Sequence, residues 1–142
     1  MKARLYTPLD YPLVCHWWPA HGWPMITEDV LPKCGIVIED DEGVPRGASW
    51  LYMSNSNGVS MMEWTVTNPL NKPKESFRAV QSLVNAMREL ALSLDYGVIL
   101  TTSKNPALIR LYEKGGFAKT DEGVTHLLML TKTPCLSLPQ LG

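Results

Sequence analysis

The sequence predicts a single α+β domain with a mixed, mostly antiparallel sheet of about six to seven strands flanked by helices. Two observations carry this prediction. Short strand-like segments separated by turn residues fill the first half of the chain, and a long amphipathic helix follows them. A second strand and a second helix come after that helix, and a strand, helix, strand order makes a parallel pair. At 142 residues and 45% hydrophobic content, the chain suits one core.

The N-terminal region is predicted to hold a strand from Ala3 to Thr7 and a helix from Asp10 to Trp18. Prolines 19 and 24 are expected to break the chain after that helix, because proline has no backbone N–H.

Three tryptophans lie in or just after this helix: Trp17, Trp18 and Trp23. Large aromatics near a short helix often line a binding cleft, so we predict that these three contact a substrate. The alternative is that they cover a small core.

Three strand candidates follow in a row, from Gly35 to Glu39, Arg46 to Met53 and Val59 to Thr67. The residues between them, 40–43 and 54–58, are rich in Asp, Asn, Ser and Gly, which favour turns. The pattern predicts an antiparallel meander.

Alternation in the last of these strands places Met62, Trp64 and Val66 on one face and the residues between them on the other. Glu63 is the one carboxylate in the middle of this strand.

A helix is predicted from about Glu75 to Leu94, because its apolar residues recur every three or four positions. The run Val98 to Thr102 is a further strand candidate. Thr125 to Leu130, after an Asp-Glu-Gly turn, is expected to contribute to a closing strand pair. Residues 131–142 are expected to form a loose tail.

A short helix is predicted to begin after Asn105, which is a good N-cap residue, and to end at Gly115 or Gly116. Tyr112 lies seven residues after Asn105, nearly two helical turns away. Both residues therefore lie on the same side of the helix.

This stretch resembles the C-terminal signature of the GNAT superfamily of acyl-CoA N-acyltransferases, in which an Asn is followed seven residues later by Tyr and then by Gly-Phe. Those positions are Asn105, Tyr112, Gly116 and Phe117 here, while Leu108 stands where the family often has a small residue. The resemblance covers residues 59–117 and extends to the flanking elements only through their order.

The resemblance implies a site for acetyl-CoA. In the superfamily, backbone amides of the strand before the phosphate loop bind the pantetheine arm, which points to Trp64, Thr65 and Val66. The pyrophosphate binds a Gly-x-Gly loop at the start of the long helix, where this chain has Glu75 and Phe77 instead. We expect side chains at the helix start to replace the loop, and Asn105 and Tyr112 to complete the coenzyme site. The residues expected to bind the coenzyme at the helix start are Lys72, Lys74, Ser76, Phe77 and Arg78.

The resemblance also implies that Tyr112 donates a proton to the departing thiolate. Glu63 suits the role of the base that accepts the amine proton, provided that an apolar setting raises its pKa. The alternatives for Glu63 are exposure to solvent or an ion pair with Arg46. His126, in the closing strand pair, is a further candidate base.

The implied activity is direct acetyl transfer from acetyl-CoA to an amine acceptor, either a small molecule or a protein. The alternative is a catalytically inactive binding or assembly module with a degenerate coenzyme site. The sequence leaves open whether two copies of the protein form a homodimer.

Composition bounds the remaining possibilities. A net charge of -1 and a pI of about 6.3 disfavour nucleic-acid binding. The absence of a long apolar run argues against a membrane span, and we predict a cytoplasmic protein. Cys15, Cys34 and Cys135 are too few and too scattered for a disulfide framework or a zinc site, and no metal is expected.

Overall fold

The computed structural model describes residues 1–131, and these form one five-stranded sheet. The strands lie in the sheet in sequence order. The first four pair antiparallel with one another, and the fifth pairs in parallel with the fourth. The strands are β1 (Lys2–Leu5), β2 (Gly35–Glu39), β3 (Pro45–Met53), β4 (Val59–Thr67) and β5 (Val98–Leu100).

Four α-helices accompany the sheet in the described residues: α1 (Tyr11–Val14), α2 (Trp17–Ala20), α3 (Pro73–Ser93) and α4 (Pro106–Lys114). A short 3-10 turn, Pro8–Asp10, precedes α1. The α+β class and the mostly antiparallel sheet are confirmed, but the described residues form five strands rather than the predicted six to seven. None of the helices in residues 1–131 is long and apolar enough to cross a membrane.

The predicted bounds of β2 and β4 are confirmed, and those of β3 and α3 differ by one or two residues. The closing strand pair is wrong within the described residues, which contain no strand after β5. Leu127 and Met129 are 92% and 84% exposed, so this segment does not pack on the core. A strand-like composition is insufficient without a partner strand. Residues 132–142, which include Cys135, lie outside the described residues.

The single helix predicted from Asp10 to Trp18 is also wrong, because α1 and α2 are separate one-turn helices. Pro19 explains the break between them. Its nitrogen cannot donate to the carbonyl of Cys15, and its ring would collide with that carbonyl in a continuous helix. The chain therefore turns at Cys15 and restarts at Trp17.

The sheet has a core on each face. On one face, α3 places its apolar stripe, including Leu83 and Met87, against Leu51 and Met62. On the other face, Trp17 and Trp18 pack with Trp50, which is fully buried. The predicted stripe on α3 is therefore confirmed as the contact between the long helix and the sheet.

Helix α4 packs on α3 at a point where only glycine fits. A Cβ added at Gly115 would lie inside the van der Waals radius of the Val84 side chain. We therefore expect Gly115→Ala to lower the free energy of unfolding by about 1–3 kcal/mol, as overpacked sites do. Denaturant-induced unfolding measures this change. Gly97→Ala is the matched control, because nothing lies within 4 Å of a Cβ there. Equal losses in both variants would contradict the close packing of α4 on α3.

Candidate active site

Strand β4 contains a bulge in its second half. Ala48 of β3 pairs with Val66, but Trp50 pairs with Glu63, so β4 carries one extra residue between these pairs. Trp64 lies in this bulge with a φ of 62°, in the left-handed region that a tryptophan rarely adopts.

Hydrogen bonds to both the side chain and the backbone of Trp64 hold the bulge in place. Its indole Nε1 donates to the hydroxyl of Tyr52 at 2.8 Å, and its backbone carbonyl accepts from Trp18 Nε1 at 3.2 Å. Tyr52 in turn donates to the carbonyl of Val30 at 2.7 Å. The strained residue is therefore fixed by contacts from β3 and α2.

The bulge reverses which way the side chains of β4 face. Met62, before the bulge, packs in the core beside α3, whereas Val66, after it, packs in the core beside Trp50. The prediction that Met62, Trp64 and Val66 share one face is therefore wrong. An extra residue shifts a period-two pattern by one position, so Glu63 and Thr65 face opposite sides.

Beyond the bulge, β4 has a free edge. Strand β5 pairs only with the first three residues of β4, Val59 to Met61. The Thr101 hydroxyl then donates to the Met62 carbonyl at 2.7 Å, and after this bond no described strand lies on the edge of β4 that faces away from β3. The backbone of Trp64, Thr65 and Val66 thus has no described strand on this side, and an extended ligand could pair with it except at the Trp64 carbonyl, which already accepts from Trp18. This open edge is the candidate cleft.

Glu63 lies at the start of this cleft. It is half-buried, and burial raises its pKa to about 7, although a long hydrogen bond from the Thr102 hydroxyl, at 3.4 Å, opposes the rise. The alternative of an ion pair with Arg46 does not occur. Arg46 instead contacts Asp40 at 2.9 Å and Glu75 at 3.8 Å. Glu63 is therefore a carboxyl group that changes protonation near neutral pH.

Tyr112 reaches the same region from α4. Its side chain is 4% exposed, and its hydroxyl donates to Thr65 Oγ1 at 2.8 Å. Burial raises its pKa to about 12, although hydrogen bonding with Thr65 and Thr101 opposes the rise, and the negative charge of Glu63 adds a smaller increase. The phenol therefore keeps its proton at neutral pH.

The predicted N-cap of α4 is confirmed. The side chain of Asn105 accepts hydrogen bonds from the backbone nitrogens of Ala107 and Leu108, at 2.9 and 3.2 Å. Gly116, with a φ of 110°, supplies the left-handed residue after the helix. Because the cap occupies the Asn105 oxygen, this residue orients α4, and with it Tyr112.

The start of α3 follows the C-terminal end of β4 after a short loop. Glu75 turns back and accepts from the backbone N–H of Lys72 at 2.7 Å, so that it caps its own helix. Phe77 is partly exposed, and the Lys114 ammonium lies 5.4 Å from its ring centroid. Ser76 accepts a hydrogen bond from Asn71 at 3.3 Å.

The three cations predicted for this helix start, Lys72, Lys74 and Arg78, are all exposed. They are free to meet an anion in solvent. The carboxylate of Glu75 contacts its own helix terminus and the Arg46 guanidinium. These two positive partners offset part of the repulsion between Glu75 and a bound phosphate.

The three tryptophans predicted to contact a substrate separate into two groups. Trp17 and Trp18 are buried in the core beside Trp50, which supports the alternative that they cover a small core and contradicts the substrate contact. Trp23 is partly exposed and stacks on His21 with ring centroids 4.9 Å apart. His21 Nε2 lies 2.8 Å from the carbonyl of Thr67, at the end of β4.

Several polar residues around Glu63 and Tyr112 were missed at the sequence level: the buried Ser49, and Thr101 and Thr102. Hydroxyl residues on strands are common, and only the bulge and the strand ends show which of them meet Glu63 and Tyr112. His126, the other candidate base, is exposed and does not lie in a strand.

Cysteine and metal chemistry have little support in residues 1–131. The described chain contains no group of three or more His, Cys, Asp or Glu side chains that could hold a metal ion. Cys15 and Cys34 are free thiols, and burial raises the pKa of Cys34, which disfavours its reactive thiolate.

No protein-family model matches this chain, and no curated protein matches its sequence. Solved structures do match it. A probable acetyltransferase has a TM-score of 0.70 at 15% identity, covering 94% of this chain and 100% of that one. A putative acetyltransferase from Agrobacterium tumefaciens has a TM-score of 0.68 at 16% identity, covering 90% and 100%.

A third match is AAC(6')-Iy in complex with the bisubstrate analogue CoA-S-monomethyl-acetylneamine. It has a TM-score of 0.64 at 14% identity and covers 91% of this chain and 98% of that one. Identities this low establish the architecture alone. The sheet, its bulged β4 and the Asn105–Phe117 segment, taken with these matches, show that this chain has the fold of the GNAT acetyltransferases.

Proposed function

We propose that this protein is an N-acetyltransferase that moves an acetyl group from acetyl-CoA directly to an amine, without a covalent enzyme intermediate. One observation carries the proposal. A carboxyl group with a pKa of about 7, Glu63, and a protonated phenol, Tyr112, lie at the cleft where β4 loses its β5 neighbour. These are the base and the acid that aminolysis of a thioester requires.

The proposed roles follow from the protonation states. Glu63, once deprotonated, accepts a proton from the amine, directly or through water, so that the nitrogen can attack the acetyl carbonyl. The new C–N bond forms as the C–S bond breaks, and the thiolate takes the phenolic proton of Tyr112. Solvent then returns the proton held by Glu63 to Tyr112, which balances the reaction.

The described residues fit acetyl-CoA in two ways. The free edge of Trp64, Thr65 and Val66 suits the amides of a pantetheine arm. Lys72, Lys74 and Arg78 suit phosphates by side-chain charge, although no glycine loop cradles them. The CoA moiety in the analogue bound to AAC(6')-Iy supports this assignment.

The acceptor end of the site is proposed at Trp23 and His21, beside the carbonyl of Thr67. Aromatic faces attract ammonium groups, so this stack suits an amine, whether on a small molecule or on a protein.

The proposal is tested by two measurements on the same sample. Calorimetry with acetyl-CoA is expected to show binding, and a thiol assay with a panel of small amines and peptides is expected to show amine-dependent release of CoA. Binding without release for any amine would favour the inactive module, which the missing glycines also suggest. Failure to bind at millimolar acetyl-CoA would overturn the enzyme proposal.

A further inference from the structure

A chain of hydroxyl groups runs from Tyr112 into the bulge of β4. The Tyr112 hydroxyl lies 2.8 Å from Thr65 Oγ1, which lies 2.8 Å from Ser49 Oγ. Ser49 Oγ lies 3.3 Å from the backbone carbonyl of Glu63. Ser49 is fully buried, so these groups have few alternative partners.

The Glu63 carbonyl, which is the last acceptor, sets the direction of these hydrogen bonds. A carbonyl oxygen has no proton, so Ser49 must donate to Glu63, and each hydroxyl has only one proton to give. Thr65 therefore donates to Ser49, and Tyr112 donates to Thr65. The phenolic proton thus points into the protein, toward Thr65.

The direction of these hydrogen bonds can reverse when Tyr112 loses its proton. Thr65 can then rotate its hydroxyl to donate to the phenolate, and Ser49 can rotate to donate to Thr65. The only bond lost is the one from Ser49 to the Glu63 carbonyl, which is the longest of the three at 3.3 Å. The bond gained is a charge-assisted one, which is stronger than a neutral bond.

We propose that Thr65 and Ser49 are positioning residues for acetyl transfer, which stabilise Tyr112 in both protonation states by reversing the direction of their hydrogen bonds. The inference rests on the proposed function. It adds a reason why Tyr112 can serve as an acid although it is buried.

A buried phenol needs such help. Burial raises the pKa of Tyr112 to about 12, whereas an ordinary thiol has a pKa of about 8.5. Transfer of the phenolic proton to a thiolate is therefore unfavourable unless the phenolate is stabilised as it forms. A donor that turns toward the phenolate lowers this cost.

The other groups near Tyr112 do not replace this donor. From β4, Glu63 contributes a negative charge, which disfavours a phenolate. Just after β5, Thr101 lies close enough to lower the pKa of the phenol, but its proton is donated to the Met62 carbonyl at 2.7 Å, and that bond would have to break before Thr101 could donate to a phenolate. From α3, the residues packed against the ring are apolar, while Arg88 donates to the Gly115 carbonyl at the end of α4.

The test measures the phenol itself. Tyr112 is replaced by 3,5-difluorotyrosine, whose hydroxyl titrates at lower pH, and fluorine NMR follows its ionisation with the otherwise wild-type chain as reference. Adding Thr65→Val removes the donating hydroxyl and keeps nearly the same side-chain shape. It is expected to raise the pKa of the fluorinated phenol by about one pH unit. Thr65→Ser keeps the hydroxyl and is expected to restore the reference value. Ser49→Ala leaves Thr65 able to donate, so it should raise the pKa by less than Thr65→Val does.

Turnover supplies a second readout with unmodified Tyr112. Thr65→Val is expected to lower kcat about tenfold with little change in the KM for acetyl-CoA, and Thr65→Ser to recover it. A phenol pKa that is unchanged or lower in Thr65→Val would overturn the inference, whatever the activity. Because the NMR titration requires no turnover, a raised pKa in a protein without acetyltransferase activity would uphold the reversible chain while the proposed function fails. Thermal unfolding of each variant confirms that it is folded.

Discussion

Glu63→Gln is expected to lower kcat/KM for acetyl transfer by about 10²–10⁴-fold, the usual contribution of a general base. The amide keeps the size of the side chain but cannot accept a proton from the amine. Steady-state release of CoA measures the loss. Glu113→Gln, on the exposed side of α4, is the matched control and should leave the rate unchanged.

The pH dependence of kcat/KM provides a second test of Glu63 as the base. Glu63 acts only when it is deprotonated, and its pKa is about 7, so kcat/KM of the wild type should rise as the pH increases through that value. The Gln variant should lose this rise. If the variant keeps both the wild-type rate and the wild-type profile, Glu63 is not the base.

A stability measurement checks the same carboxyl group without any assay of activity. Its pKa rises from 4.5 in the unfolded chain to about 7 in the folded one, so the folded state binds the extra proton between these values. Stability should therefore fall as the pH increases from about 4.5 to 7, because the unfolded state binds fewer protons. Since Glu63 is only half-buried, we expect Glu63→Gln to remove on the order of 1–3 kcal/mol of this fall, measured by denaturant unfolding at both pH values.

Tyr112→Phe is expected to lower kcat by about 10²-fold or more while changing acetyl-CoA affinity far less. The ring packs on Phe117 with centroids 5.3 Å apart, and phenylalanine preserves that packing, so the variant removes only the hydroxyl. The proton is needed only as the thiolate leaves, which is why turnover should suffer more than binding.

Calorimetry and steady-state rates measured on the same sample separate the two effects. Tyr96→Phe is the control, because it also removes a tyrosine hydroxyl bond, to the Ser54 carbonyl, on a residue outside the cleft. Equal losses of affinity and turnover in Tyr112→Phe would count against the acid role.

Local signals in the sequence were sufficient for much of the framework. The turn residues around β2 and β4 set the ends of these strands, because Gly, Asn and Asp favour the conformations that end a ladder. The three- and four-residue spacing on α3 identified its buried face. Asn105 identified the start of α4, because a short polar side chain can bond the free amides of the first turn.

Features that depend on contacts between distant segments were not predicted. The Trp residues of α2 show this, since a large aromatic can equally line a cleft or fill a core, and only the position of Trp50 on β3 decides that Trp17 and Trp18 are buried. Glu75 shows it at the start of α3, where its carboxylate lies 3.8 Å from the guanidinium of Arg46 on β3.

The sequence by itself determined the order of the five strands, α3 and α4 and the ends of β2, β4 and α4, because propensity, capping and periodicity act over a few neighbouring residues. Together with the resemblance of the 105–117 stretch, these patterns also pointed to the two residues proposed for catalysis, Glu63 and Tyr112. Tertiary structure alone decided which side of the sheet each of these residues faces. One extra residue in β4, visible only in its pairing with β3, places Thr65 beneath Tyr112 and leaves Glu63 on the opposite face. A strand cannot encode this register alone, since the bulge is a property of two strands and the cores on either side of them.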